Sequence, residues 1–204
     1  MGRRWQLERR RDYYYRQAKL ESYRSRASYK LKQLNRRYHL LRRGDVVVDL
    51  GAAPGGWMQV ALEVVGGTGF VLGVDLQRIE DFPNKNAATM AADFTDPAVV
   101  EKIREKLPRP ADVVISDASP SISGVWDLDQ ARSAELVKSA LLVSERVLVP
   151  GGNFLAKVFQ GALMGDLLKQ VKEMFEFVKI SKPQASRKGS AEVYIIGKGF
   201  RRPG

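Results

Sequence analysis

The chain has 204 residues, enough for one domain with a sizeable core plus a short appendage. Hydrophobic residues make up 44% and charged residues 28%, a balance that excludes a disordered, collagenous or membrane-spanning chain. With no cysteine and His39 as the single histidine, disulfide scaffolds, thiolate metal sites, cysteine nucleophiles and serine–histidine triads lack their necessary parts, and no metal is expected. The opening Met1-Gly2-Arg3-Arg4-Trp5 has no apolar signal core, which predicts a cytoplasmic protein.

The net charge of +11 is unevenly placed, because residues 1–43 hold 15 basic and 3 acidic side chains. The rest of the chain is close to neutral. Arg9-Arg10-Arg11 beside Tyr13-Tyr14-Tyr15, then Arg36-Arg37 and Arg42-Arg43, join phosphate-neutralising charge to flat rings, the combination used for nucleic acid. A solvated arm or an anionic membrane surface is the competing reading of such charge. Residues 5–24 lack the clean apolar stripe of a membrane anchor. We therefore divide the chain into a basic, tyrosine-rich arm over residues 1–22 and a folded domain over 23–204.

Along that domain, Ala27, Leu31, Leu34, Tyr38 and Leu41 recur at helical spacing and predict a basic amphipathic helix from Ser25 to Leu41, with Gly44 beyond it. Val46-Val47-Val48-Asp49-Leu50 reads as a strand buried on both faces. A helix over Trp57–Val65 and a strand over Phe70–Val74, ending in Asp75, follow. A third strand runs through Ala88–Ala91 towards Asp93. Asp96-Pro97 opens a helix to Leu107, and Val113–Ile115 is a fourth strand leading to Asp117. A long helix from Asp129 to Leu148 precedes a Pro150-Gly151-Gly152 turn and a fifth strand, Phe154–Phe159. Two more strands fall near Phe177–Ile180 and Glu192–Ile196. This alternation predicts an α/β, doubly wound, Rossmann-like sandwich around a mostly parallel seven-stranded sheet with helices on both faces. Ligands are then expected at the carboxyl ends of the strands.

The segment Gly51-Ala52-Ala53-Pro54-Gly55-Gly56-Trp57 lies between a buried strand and a helix, where small residues let a ligand approach the backbone. Its spacing is not the dinucleotide pattern, and Pro54 removes an N–H that a pyrophosphate cradle would use. Asp75, Asp93 and Asp117 close successive strands, with Asp75 placed to hold a ribose diol. So acidic an edge suits a cationic nucleoside, and S-adenosylmethionine carries both a sulfonium and an adenosine. Lys157 interrupts an apolar strand, and Glu192 opens the last one. Alone, each reads as a snorkelling residue or as half of a Lys157–Glu192 ion pair; beside Asp117 they form a candidate polar cluster.

Val47 to Trp57, Ile115-Ser116-Asp117-Ala118-Ser119-Pro120, Lys157 and Glu192, with Ser25-Arg26-Ala27-Ser28-Tyr29-Lys30-Leu31 upstream, resemble the FtsJ/RrmJ family of S-adenosylmethionine-dependent RNA 2′-O-ribose methyltransferases. The resemblance spans about residues 23 to 200. It implies a catalytic Lys-Asp-Lys-Glu tetrad on Lys30, Asp117, Lys157 and Glu192. It also implies cofactor contacts at Gly51, Gly55, Trp57, Asp75 at the ribose, Asp93 near the adenine, and Asp117 near the methionine portion. The implied substrate is RNA, above all large-subunit ribosomal RNA at a uridine, methylated by a monomer. A tRNA, an mRNA cap, and RNA binding in ribosome assembly without catalysis are the competing readings.

Methyl transfer to a ribose hydroxyl is an in-line displacement that also needs a proton acceptor. Lys157 is the expected base, with burial, the Lys30 cation or the cofactor's charge favouring its neutral form and Asp117 and Glu192 opposing it. Asp117 is expected to position it, Glu192 to orient or shuttle the proton, and Lys30 to bind substrate oxygens. Residues 182–190 are expected either to hold RNA phosphates or to form a solvated loop.

Overall fold

The computed structural model describes residues 12–187 and 189–202; Arg9-Arg10-Arg11 and Lys188, counted above among RNA-binding candidates, lie outside them. In chain order the elements are α1 (Tyr13–Leu20), α2 (Ser28–Tyr38), β1 (Val46–Leu50) and α3 (Gly56–Val65), then a 3-10 turn (Gly66–Thr68) and β2 (Phe70–Asp75). They continue as β3 (Ala87–Ala91), α4 (Ala98–Lys106), β4 (Ala111–Ser116), α5 (Trp126–Val147), β5 (Leu148–Phe159), α6 (Met164–Met174), β6 (Phe175–Ser181) and β7 (Glu192–Phe200). The strands form one sheet in the order β3-β2-β1-β4-β5-β7-β6. Strands β1 to β5 run parallel, and β7 pairs antiparallel with both β5 and β6.

The direction of winding reverses between β1 and β4, so a crevice opens where their carboxyl ends diverge. Alternation along the strands feeds two cores. Val46, Val48 and Leu50 face the layer containing α4 and α5, together with Val114, Phe154 and Ala156. Val47, Val113, Ile115 and Leu155 face Leu31 and Leu34 of α2 and Met58 and Ala61 of α3. Among the described residues no helix is long and apolar enough to cross a membrane.

Several expected boundaries move. The basic helix starts at Ser28 rather than Ser25 and ends at Tyr38, where His39 takes a left-handed conformation at φ 51° and donates its N–H to the Asn35 carbonyl. His39 is an exposed helix cap, and Leu40 and Leu41 turn into the core after it. Pro150-Gly151-Gly152 does not separate two elements. It lies inside β5 as a bulge, with the register passing from Ala111 opposite Leu148 to Val113 opposite Asn153. Helix α4 starts at Ala98 with Pro97 rather than Asp96 as its N-cap, and Asp96 accepts the Ala98 N–H at 2.9 Å from one residue further back. The long helix begins at Trp126 rather than Asp129.

Two helices are absent from the sequence reading. Met164–Met174 forms α6, which buries Leu167 and Val171 against the sheet. Tyr13–Leu20 forms α1, capped by the Asp12 carboxylate, which accepts the Tyr15 N–H. Its Ala18 is buried, Tyr14 packs on Tyr29 at 5.4 Å and accepts from Gln33 Nε2, and Asp12 ion-pairs with Arg26. Part of the tyrosine-rich segment is therefore bound to the body of the fold.

Candidate active site

The site sits at the carboxyl edge of β1, β4, β5 and the amino end of β7. In the antiparallel β5–β7 ladder, Lys157 lies opposite Tyr194 and Phe159 opposite Glu192. Directly opposed residues and those two apart share a face, so all four side chains start from one surface. Asp117 follows β4 immediately, and Lys30 arrives from α2 on the same side. Four residues far apart in sequence thus converge on one cluster.

Its geometry is specific. Lys157 Nζ donates to the Asp117 carbonyl oxygen at 2.7 Å and lies 3.2 Å from Asp117 Oδ1. Lys30 Nζ lies 2.7 Å from Glu192 Oε1 and 3.9 Å from Asp117 Oδ1. Lys157 therefore pairs with Asp117, and Glu192 pairs with Lys30, in place of the Lys157–Glu192 pair considered from sequence. Burial alone would push the Asp117 carboxyl up, but the Lys157 and Lys30 cations and the Tyr194 hydroxyl together hold it below its ordinary value.

Tyr194 belongs to this cluster and is missing from the sequence reading. Its hydroxyl donates to Asp117 Oδ1 at 2.6 Å, and its fully buried ring packs 5.8 Å from Trp57 and 5.7 Å from Lys30 Nζ. Burial, then the Asp117 and Glu192 charges, push its ionisation far up, so the phenol stays a donor. The signal was available, since Tyr194 stands two residues from Glu192 on an alternating strand.

The glycine loop is shaped from both sides. Gly51 has φ +73°, and a Cβ there would meet the Ala118 Cβ at 2.6 Å, on the loop leaving β4. Gly55 has φ +104°, and a Cβ would meet Arg24 and Phe82. Arg24 stacks on Phe82 at 3.9 Å and donates to the carbonyls of Pro54, Glu80 and Asp81. It ties the glycine loop to the segment after β2, a clamp the sequence reading did not include. Ser28 adds a bond to the Gly56 carbonyl at 2.9 Å. The Trp57 side chain is committed to packing, with Nε1 donating to the Ala27 carbonyl at 2.8 Å. A ligand would meet Trp57 through the N–H groups of the first turn of α3, which have no intrahelical acceptors.

Asp75 accepts the N–H of Ala53 on one oxygen and that of Gln77 on the other, so each oxygen keeps a lone pair for a diol. Asp93 lies two residues past β3, exposed, and accepts from the N–H and hydroxyl of Thr95. It stands further along this edge and shares no bond with Asp75 or Asp117.

Asp49 on β1 is the other residue missed. It is 0% exposed, and neither carboxylate oxygen has a partner among the described residues. Burial first, then the charges of Asp117 and Asp75, push its carboxyl well above the ordinary value. The Asp75 and Asp117 carboxylates thus concentrate negative potential at one edge, and the Asp49 carboxyl beside them is unsatisfied among the described residues. That donor set fits a ligand carrying positive charge and N–H donors, as the sulfonium and ammonium of S-adenosylmethionine do.

The fold agrees with the comparisons. The FtsJ-like methyltransferase family model matches residues 23–200. The chain belongs to that family. It is an S-adenosylmethionine-dependent RNA methyltransferase. A protein of Methanothermobacter thermautotrophicus named ribosomal RNA large subunit methyltransferase E is 55% identical over 201 residues, covering 98% of this chain and 95% of that one. Its namesake in Methanocaldococcus jannaschii is 53% identical over 206 residues, covering 98% and 84%. A Plasmodium falciparum crystal structure described as a ribosomal RNA methyltransferase superposes with a TM-score of 0.78 at 28% identity, over 89% of this chain and all of that one.

Proposed function

We propose that this methyltransferase modifies a ribose 2′-hydroxyl of large-subunit ribosomal RNA, at a uridine. The observation that carries the chemistry is the Lys30, Asp117, Lys157, Glu192 cluster; the names of the two archaeal relatives support the substrate. When bound, S-adenosylmethionine supplies an electrophilic methyl carbon. The protein must align the hydroxyl with that carbon and accept its proton.

Lys157 is the proton acceptor in this scheme. The ammonium that pairs with Asp117 gives up one proton to solvent before the transfer; the neutral amine then has two N–H bonds, which the Asp117 carbonyl and Oδ1 account for, and its lone pair is left for the hydroxyl proton. Asp117 holds the amine in that orientation and is itself fixed by Tyr194. Lys30, held by Glu192, stabilises the developing oxyanion and binds substrate oxygens. Asp75 takes the cofactor ribose and Asp93 the adenine side. Gly51, Gly55 and the backbone at Trp57 make room for the methionine portion beside Asp117.

RNA would enter through the cleft of about 720 Å³ beside the cluster, lined by Arg26, Lys30, Arg187, Ser190 and Glu192. Its outer wall is held in place, since Ala185 donates to Gln33 Oε1 and accepts from Arg26. We further propose a monomer acting in the cytoplasm, with residues 1–22 as an RNA-binding arm on the 23–204 domain.

The test is transfer of labelled methyl to large ribosomal subunits, total RNA and tRNA, assayed separately. Label in the large-subunit RNA is the expected result. Label confined to tRNA would keep the chemistry and replace the substrate, whereas cofactor binding with no transfer to any fraction would favour the non-catalytic reading.

A further inference from the structure

Beyond the cluster, an exposed apolar edge borders the site. Trp126, the first residue of α5, is 48% exposed, with Ile122, Val125 and Leu128 exposed around it. Its indole lies almost parallel to the Phe159 ring, at 6.1 Å and an interplanar angle of 16°. Phe159 is two residues beyond Lys157 on β5 and opposite Glu192 on β7. The indole is thereby stacked on a residue of the catalytic ladder itself.

The support beneath it is built. The buried Asp129 carboxylate accepts the Ser123 N–H and hydroxyl at 2.8 and 2.7 Å, and the Gly124 N–H at 3.2 Å. These bonds fix the loop running from Asp117 to Trp126. Ser133 of α5 accepts the Phe159 N–H at 3.0 Å, locking the end of β5 to the same helix. An indole lying nearly parallel to Phe159 and still nearly half exposed has surface left for a flat partner.

We propose that Trp126 is a stacking platform for a nucleobase of the RNA substrate, at or next to the nucleotide whose ribose enters the cluster. The inference rests on the RNA reading above. Continuity with the catalytic ladder decides the occupant: a ribose beside Lys157 projects its own base or a neighbour's over this edge. A flat π-face fits any of the four bases. A protein partner covering the same patch is the alternative outcome of the test.

The experiment measures binding of a fluorescent single-stranded RNA oligonucleotide across a salt series, for the full chain and for Trp126→Ala and Trp126→Phe. Stacking on one aromatic ring is worth about 1–3 kcal/mol per base, so Trp126→Ala is expected to weaken binding about 5- to 150-fold. Trp126→Phe recovers most of that loss. The slope of log affinity against log salt stays unchanged, because no phosphate contact is removed. An abasic ribose–phosphate chain of the same length should bind the parent and Trp126→Ala equally. Parent binding with Trp126→Ala within twofold, or an equal loss on the abasic chain, would overturn the platform and leave the patch to a protein partner. Failure of the parent chain to bind RNA at all would overturn the RNA reading together with it.

Discussion

At the scale of single residues, the site is a balance of buried charge. Asp117 is held ionised by two lysines and a phenol, whereas Asp49 is buried with no partner among the described residues and its carboxyl is raised above the ordinary value of 3.8. The folded chain therefore binds the Asp49 proton more tightly than the unfolded chain does. Its contribution to stability is greatest below that ordinary value and is lost as pH rises towards the folded-state value. Asp49→Asn removes this loss. We expect the cofactor-free variant to melt above the parent at about pH 8, with the gap closing near pH 4. It should also bind S-adenosylmethionine more weakly. A midpoint difference independent of pH, read by calorimetry, would contradict this account. Asp49 was visible in the sequence as a charge inside Val46–Leu50, but its lack of a partner is a property of the folded surroundings. Lys157 and Glu192 were legible for the converse reason, because a charged residue in an apolar strand needs a partner or a purpose.

At the scale of elements, the glycine loop and the loop after β4 are one packed unit. Gly51 meets Ala118 closely enough that an added Cβ collides, and its φ is in the left-handed region. Gly51→Ala is expected to cost about 1–2 kcal/mol in backbone strain and about 1–3 kcal/mol in overpacking. The variant should melt earlier and lose cofactor binding, and an unchanged melt would mean that the two loops yield freely. Apolar runs made β1, β2 and β4 readable from sequence. The bulge in β5 was not, because Pro150-Gly151-Gly152 is the composition of a turn and only pairing with β4 keeps it in the sheet. Helix α1 was hidden for a related reason. Its support comes from Tyr29 and Gln33 on α2 and from Arg26 in the turn before it, and propensity along the chain carries no record of them.

At the scale of the whole molecule, the 15 basic and 3 acidic residues of 1–43 give the N-terminal fifth the sign required to gather RNA. Deleting residues 1–11 removes five arginines and leaves α1 intact. Single-stranded RNA binding is expected to lose about 2–4 units of its log–log salt slope, at about 0.7 per phosphate contact, while cofactor binding stays the same. An unchanged slope would assign those arginines to solubility alone. The central claim is that the Lys157 cluster at the carboxyl edge of the sheet transfers a methyl group to a ribose 2′-hydroxyl. The most direct measurement incubates large ribosomal subunits with labelled S-adenosylmethionine and either the parent chain or Lys157→Ala, then digests the RNA with alkali. A 2′-O-methyl group blocks cleavage of the adjoining phosphodiester, so the parent should leave its label in an alkali-resistant dinucleotide. Lys157→Ala should lose at least about 100-fold of that label, at the lower end of what a positioned proton acceptor contributes, while still binding cofactor and RNA. Label released as an alkali-sensitive mononucleotide, or transfer by Lys157→Ala close to that of the parent, would contradict the account.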